Sequence, residues 1–377
     1  MNMRKKIVFL SGTRADFGKL KSLMLEVSHC DEFEVHVFAT GMHMNPKYGR
    51  TVEEIVKAGI PNIFRFYNHQ DCWGMDQILA RTIDGFSSYV RDVKPDMIVL
   101  HGDRVEALAG AIVGSMNNIL TAHIEGGELS GTIDESIRHA VSKLSHVHLV
   151  ANDAAKQRLV QMGERPDQIH PIGSADIDLM FSSHLPSISF VKQYYEIAFD
   201  KYGILIFHPV TTEVDKIPMQ SKNIVDAVLE SGRNYIVVYP NNDEGSAFIF
   251  HEYQRFKDNP KFRIFPSIRF EYFLVMLKQA QFILGNSSCA IMEAPYYGIP
   301  SIDIGSRQQD RTDNPNIFHC GFDKAEILAA VTQAGEQKLE PIEPFGGGKT
   351  AEKFMGLLKS DKIWETPLQK KFLDTIK

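Results

Sequence analysis

No stretch of this chain is apolar for long enough to cross a bilayer; its hydrophobic runs are strand-sized, far short of the roughly 20 residues a spanning helix needs. The opening MNMRKKIVFLSGTRAD has the basic-then-apolar order of a secretion signal. Arg14 and Asp16 follow the apolar run at once, so it reads as a first buried strand. Cysteine is scarce: Cys30, Cys72, Cys289 and Cys320 are widely spaced and form no Cys-x-x-Cys pair. That argues against a disulfide frame or a zinc site and fits reduced thiols in the cytoplasm. A basic block is also missing, and the net charge is −6, so nucleic acid is a poor partner. Gly-x-Gly-x-x-Gly does not occur. GGGKT (346–350) ends like a P-loop, but Glu343 stands where the first glycine is needed and no strand precedes it.

What remains is ordinary globular composition, 44% hydrophobic and 23% charged, over 377 residues. That is too long for one core of usual size, which points to two domains. Short β-branched runs (6–10, 33–39, 96–100, 118–124, 147–150) alternate with helix-like segments (17–27, 76–93, 104–116). A polar stretch, SSHLPSIS (182–189), leads to a second series of runs at 202–208, 234–239, 262–265, 281–285 and 300–305. The rhythm predicts two α/β domains, each a doubly wound and mostly parallel sheet. The first domain spans 1–174 and the second 175–360, with a terminal helix at 361–377 packing back on the first.

Ligands of open α/β sheets bind beyond the carboxyl ends of the strands, so the residues after each run carry the functional reading. In the first domain these are SGTRADFGK (11–19), HGDR (101–104) and HIEGGELSGTIDESIRH (123–139). The last crowds Glu125, Glu128, Asp134 and Glu135 together, and their repulsion is expected to raise at least one carboxyl pKa. His101 with Asp103, and His123 with Glu125, are i, i+2 pairs on one face of an extended chain; a metal site is the alternative to local hydrogen bonding. In the second domain the residues are HPVTTE (208–213), PNNDEGS (240–246) and GNSSC (285–289). Ser287 or Ser288 is expected to cap a helix AIMEAPYYG, whose free N–H groups make an anion site. Arg14, Lys19, Arg307 and Arg311 supply cations suited to a diphosphate. His208, at a strand's carboxyl end, suits phosphate contact or acid catalysis.

Taken in order, GTRAD, HGDR, HIEGGE, IDESIRH, HPVT, PNNDEGS, GNSSC-x3-E and GSRQ-x2-R resemble the hydrolysing UDP-N-acetylglucosamine 2-epimerases of bacterial sialic acid biosynthesis. The resemblance implies a GT-B fold: two Rossmann-like domains with a cleft between them. It implies UDP-GlcNAc plus water giving ManNAc plus UDP, through elimination to a glycal and hydration. No metal or other cofactor is implied, and a homodimer or homotetramer is. By motif it makes Asp103, Glu125, Asp134 and His208 catalytic. Arg14, Lys19, His43, Arg104, Glu128, Arg138, Asn241, Ser287, Ser288, Glu293, Arg307 and Arg311 become substrate contacts. Non-hydrolysing relatives carry a glutamate pair where this chain has Asp134-Glu135, so the shorter aspartate favours the hydrolysing branch. A GDP-linked or modified hexosamine as substrate, a non-hydrolysing epimerase, a glycosyltransferase and a nucleotide-sugar-binding module without turnover are the alternatives.

Overall fold

The structure is a computed structural model. It describes residues 4–69, 74–130, 132–309, 311, 314–337, 339–345 and 347–374. Cys72, Gly131 and Gly346 lie outside the described residues. The chain divides into two compact units: Met1–Glu128 with Asp134–Phe181 and Phe345–Lys377, and Leu129–Ile133 with Ser182–Pro344. The first unit therefore runs seven residues past the expected join at 174 and takes the chain back from residue 345 instead of 361.

The first unit is a seven-stranded sheet of β1 (Lys5–Ser11), β2 (Phe33–Ala39), β3 (Ile63–Arg65), β4 (Met97–His101), β5 (Leu120–Ile124), β6 (Val147–Val150) and β7 (Ile169–Pro171). Its helices are α1 (Arg14–Ser28), α2 (Val52–Lys57), α3 (Met75–Val93), α4 (Val105–Met116), α5 (Ile133–Leu144), α6 (Asp153–Gln161) and α7 (Ala175–Met180). All strand pairs are parallel, in the order β3-β2-β1-β4-β5-β6-β7. Both faces are covered, so the strands read as unbroken apolar runs. Ile7 and Phe9 enter one core with α1, while Val8 and Leu10 enter the other with α3 and α4. The small residues of α4 do let it approach the sheet: a Cβ at Gly114 would come within 2.2 Å of Thr121 Oγ1.

The second unit begins with α8 (Ile188–Tyr194) and holds β8 (Gly203–Ile206), β9 (Tyr235–Val238), β10 (Phe262–Phe265), β11 (Phe282–Gly285), β12 (Ser301–Ile304) and β13 (Ile317–Cys320). The order is β10-β9-β8-β11-β12-β13, again parallel. Its further helices are α9 (Ile217–Glu230), α10 (Ser246–Tyr253), α11 (Phe270–Gln279), α12 (Cys289–Met292) and α13 (Lys324–Glu336); α14 (Thr350–Leu358) and α15 (Asp361–Trp364) return to the first unit. The two sheets share one strand order, and each reverses beside its first strand, at β1/β4 and β8/β11. Those switch points are where such sheets bind ligands.

Two expected helices are shorter than read. AIMEAPYYG is a four-residue helix followed by a 3-10 turn at Ala294–Tyr297, because Pro295 cannot continue an α-helix. The terminal segment is helical only at Asp361–Trp364; Pro367 follows, and the described residues beyond run without regular structure.

Candidate functional site

GTRAD folds as a cap. Thr13 and Asp16 form a capping box at the start of α1, and the Asp16 carboxylate also accepts the N–H of Gly12 at 2.9 Å. Asp16 is thereby spent on structure, and Arg14 is left at the first helical position, 3.6 Å from Glu54. One turn on, α1 places Lys19 inside the unit. Its ammonium lies 3.2 Å from Glu125 Oε1 and 3.3 Å from Asp176 Oδ2.

Glu125 follows β5 with φ of 60°, a left-handed conformation that is strained for a residue with a Cβ. Its N–H donates to the Leu149 carbonyl at 3.0 Å, and Arg138 on α5 donates to its own carbonyl at 2.6 Å. The side chain receives Lys19 and the Ser174 hydroxyl, at 2.9 Å, on Oε1. Oε2 stands 3.2 Å from His101 Nε2. Burial pushes the carboxyl up, but Lys19, His101 and Arg138 outweigh it, and Glu125 titrates well below the usual carboxylate range. The expectation that crowding among the acids would raise a pKa is thus reversed at Glu125, because a lysine and an arginine are buried with it.

Arg138 also binds the Asp103 carboxylate, which follows β4, and Asp103, Glu128 and Glu125 all attract its charge. Asp134 is buried in the first turn of α5, one helical turn before Arg138. Glu128 is buried midway along the segment between β5 and α5. Glu135 faces elsewhere: it pairs with His139 at 2.8 Å along the helix, both partly exposed. Arg104 opens α4, with Nε 3.8 Å from Glu106.

Two histidines prove to be structural. His123 Nε2 donates to the Gly102 carbonyl at 2.8 Å, and its Nδ1 meets Ser142 Oγ at 3.0 Å. Burial pushes it down to about 3, so it stays neutral and holds the ends of β4 and β5 together. His43, read as a substrate contact, is wholly buried with its nitrogens on Ser11 Oγ and Thr51 Oγ1. Burial pushes it down to about 4 and leaves it no atom for a ligand. Among the described residues no three His, Cys, Asp or Glu side chains gather as a metal would need.

In the second unit the switch point is tied by Asn286. Its side-chain oxygen accepts the His208 N–H at 2.7 Å, and its amide donates to the His208 carbonyl at 2.9 Å. Its own carbonyl accepts from Arg307 at 3.2 Å and Gln308 at 2.8 Å. Arg311 in turn donates to Gln308 at 2.5 Å. The Asn241 N–H donates to His208 Nδ1 at 3.0 Å. An imidazole that accepts on Nδ1 is neutral and carries its proton on Nε2, so His208 is set to donate there. Asn241 itself is bonded through its amide to Asp243, and Glu293 is buried at the end of α12. Neither Ser287 nor Ser288 caps a helix. Ser288 already has helical angles, and the Ser287 hydroxyl accepts from Cys289 Sγ at 3.1 Å.

Residues 25–359 match the model of the family described as UDP-N-acetylglucosamine 2-epimerase. The chain belongs to that family. A UDP-N-acetylglucosamine 2-epimerase of Neisseria meningitidis serogroup B is 47% identical over 374 residues, 98% of this chain and 99% of the relative. A hydrolysing UDP-N,N'-diacetylbacillosamine 2-epimerase of Legionella pneumophila is 34% identical, over 98% and 99%. The crystal structure of the Methanocaldococcus jannaschii UDP-GlcNAc 2-epimerase in complex with UDP-GlcNAc and UDP superposes with a TM-score of 0.80 at 23% identity, over 94% of this chain and 99% of that one. That likeness shows the fold: the chain is a GT-B protein of two Rossmann-like domains.

Within this epimerase-family chain, the structure groups Lys19, Asp103, Glu125 and Arg138 in the first unit. It groups His208, Asn241, Arg307 and Arg311 in the second. Three participants were missed. Ser174 reaches Glu125 from the start of α7 and Asp176 reaches Lys19 and Ser174, and GSADID holds no motif to flag them. Asn286 lies within GNSSC, where the motif gives it no role, although a buried asparagine beside a strand end is the natural bridge between two backbone loops.

Proposed function

We propose that this chain is a hydrolysing UDP-N-acetylglucosamine 2-epimerase that turns UDP-GlcNAc and water into ManNAc and UDP without metal or cofactor, the first step of sialic acid synthesis. The observation that carries the reading is the buried Glu125 carboxylate, ionised by Lys19 and beside Asp103 paired with Arg138, which stands on the helix that bears Asp134. The C2 hydrogen of the sugar adjoins no carbonyl, so it leaves only as UDP departs from C1. Carboxylates in unlike surroundings divide that work. In this reading Asp134 takes the C2 proton as the C1–O bond breaks and a 2-acetamidoglucal forms. Glu125 then delivers a proton to C2 from the other face and receives one from the water that adds at C1. The proton on Asp134 leaves to solvent. Asp103 positions the base, and Glu128 binds sugar hydroxyls.

The second unit supplies the nucleotide contacts in the same reading. His208 donates Nε2–H to the diphosphate as its charge grows, with Arg307, Arg311, Ser287 and Ser288. Asn241 and Glu293 take the nucleoside, and Arg14 and Arg104 add cations. The free thiols of Cys30, Cys289 and Cys320 agree with a cytoplasmic site of action. A homodimer or homotetramer is the expected assembly.

Proton NMR of the protein with UDP-GlcNAc in deuterated water tests this. Free UDP with ManNAc deuterated at C2 is expected, and Asp134→Asn should abolish both while UDP still binds. UDP-ManNAc as product would assign the non-hydrolysing reaction. The 34% identity to a diacetylbacillosamine epimerase favours one second reading, a hydrolysing epimerase of a modified hexosamine. Turnover of that sugar nucleotide, with UDP-GlcNAc left intact, would select it.

A further inference from the structure

An ionised Glu125 cannot deliver a proton until it is given one, and a buried hydroxyl with a second carboxylate lies against it. Ser174 sits at the N-cap of α7, yet its hydroxyl caps no helix N–H. It is turned instead towards two carboxylates, Glu125 Oε1 at 2.9 Å and Asp176 Oδ1 in closer contact. A hydroxyl has one hydrogen, and an ionised carboxylate has none. That one hydrogen cannot lie fully along both contacts, and a proton shared by one of the acids would fill the other. Ser174 and Asp176 are fully buried, where an unmatched polar contact is costly.

The surroundings place that proton. Glu125 Oε1 accepts a hydrogen bond from Lys19, and Oε2 lies beside His101. Asp176 Oδ2 has the Lys19 ammonium at 3.3 Å but receives no aligned N–H from it. Glu125 has the stronger claim to the negative charge. We infer that Asp176 holds a proton on Oδ1 and that Ser174 relays it to Glu125, so that the two residues form a buried proton relay behind the reacting carboxylate. This rests on Glu125 exchanging a proton with the sugar.

The transfer is balanced. The Asp176 Oδ1–H bond breaks as a new Ser174 Oγ–H forms; the original Ser174 O–H breaks as Glu125 Oε1–H forms. One proton moves to Glu125 and one negative charge moves to Asp176. Lys19, within 3.3 Å of both carboxylates, neutralises the charge on either side. When Glu125 later takes a proton from the added water, the chain runs backwards and is reset. Ser174 and Asp176 touch no substrate in this scheme; they act through Glu125.

Asp176→Asn separates relay from scaffold. The amide still donates to Ser174 but cannot pass the proton on. In assays of ManNAc formation, the product of the hydration that Glu125 serves, Asp176→Asn and Ser174→Ala are each expected to lower kcat by roughly 100-fold, with KM within about twofold. The double variant should be no slower than either single one, since each breaks the same chain. Ser174→Thr, which keeps the hydroxyl, should rescue the rate. An Asp176→Asn enzyme within about threefold of wild-type kcat, or single losses that multiply in the double variant, would overturn the relay. Infrared spectroscopy at neutral pH gives an answer independent of turnover. The protonated-carboxyl C=O band of the wild type should shrink in Asp176→Asn, and an unchanged band would overturn the proposal. A wild-type protein that releases no UDP from any sugar nucleotide would sink the epimerase reading, while the infrared band would still decide where the proton resides.

Discussion

At the scale of single residues, company decides chemistry. Read as a list of acids, residues 123–139 promise a raised pKa. In the fold, Lys19 and Arg138 are buried with Glu125 and hold it ionised. His208 shows the same lesson. Its place after β8 marked it as a phosphate contact, but only the Asn241 N–H on Nδ1 sets its tautomer and turns Nε2 into a donor. Removing that donor should cost one hydrogen bond to a charged group. His208→Ala is expected to weaken UDP binding about tenfold by titration calorimetry, and unchanged affinity would take His208 out of the nucleotide site.

At the scale of elements, the site depends on where strands and helices end. Gly285 closes β11 at φ of 133°, and a Cβ there would stand 1.9 Å from the Ile206 carbonyl oxygen. No side chain fits, so Gly285→Ala should destabilise the protein by about 3 kcal/mol or more in denaturant unfolding. The C-terminal segment performs a matching task for α5, which carries Asp134 and Arg138. Lys370 Nζ donates to the carbonyls of Ser142, Lys143 and Ser145 and pairs with Glu164 at 2.7 Å. Those carbonyls lie at the end of the helix, where the supply of intrahelical N–H donors runs out. Lys370→Ala is expected to cost about 2 kcal/mol and to lower the melting temperature, whereas a change within about 0.5 kcal/mol would show that the segment merely rests there.

At the scale of the whole molecule, the buried histidines and Glu164 give folding a pH dependence of one sign. Burial lowers His43 from 6.5 to about 4 and His123 from 6.5 to about 3. The unfolded chain therefore binds protons below 6.5 that the folded chain refuses. The associated stability is complete above that value and is lost as the pH falls through the window down to the folded pKa. Glu164 is lowered from 4.5 to about 2, with burial opposed by His148, Lys143 and Lys370, and adds a loss in the same direction below 4.5. Between pH 6.5 and about 5.5, His43 and His123 should each withdraw about 1 kcal/mol. Thermal melts across that range are expected to shift steadily downward on acidification. A flat profile would mean that these rings take up protons in the fold.

The strand-and-helix alternation, the two parallel sheets and the chemistry at strand ends were legible in the chain, because apolar periodicity and turn residues are local signals. So was the family, through motifs spread over its length. Local reading failed where a partner lies far along the chain. GSADID carries no motif, yet the start of α7 brings Ser174 to Glu125, about fifty residues earlier in sequence, and Asp176 to Lys19. His43 and His123 look like ligands until both nitrogens of each are seen to be occupied. The serines of GNSSC look like caps until Ser288 is seen to have helical angles and Ser287 to be bonded to Cys289. Sequence by itself determined which groups stand at the carboxyl ends of the strands, since that follows from order along the chain. Tertiary structure alone decided which of them carry charge, which hold a proton and which are spent on scaffold. Those properties depend on burial and on neighbours within a few ångströms, which only the folded chain brings together.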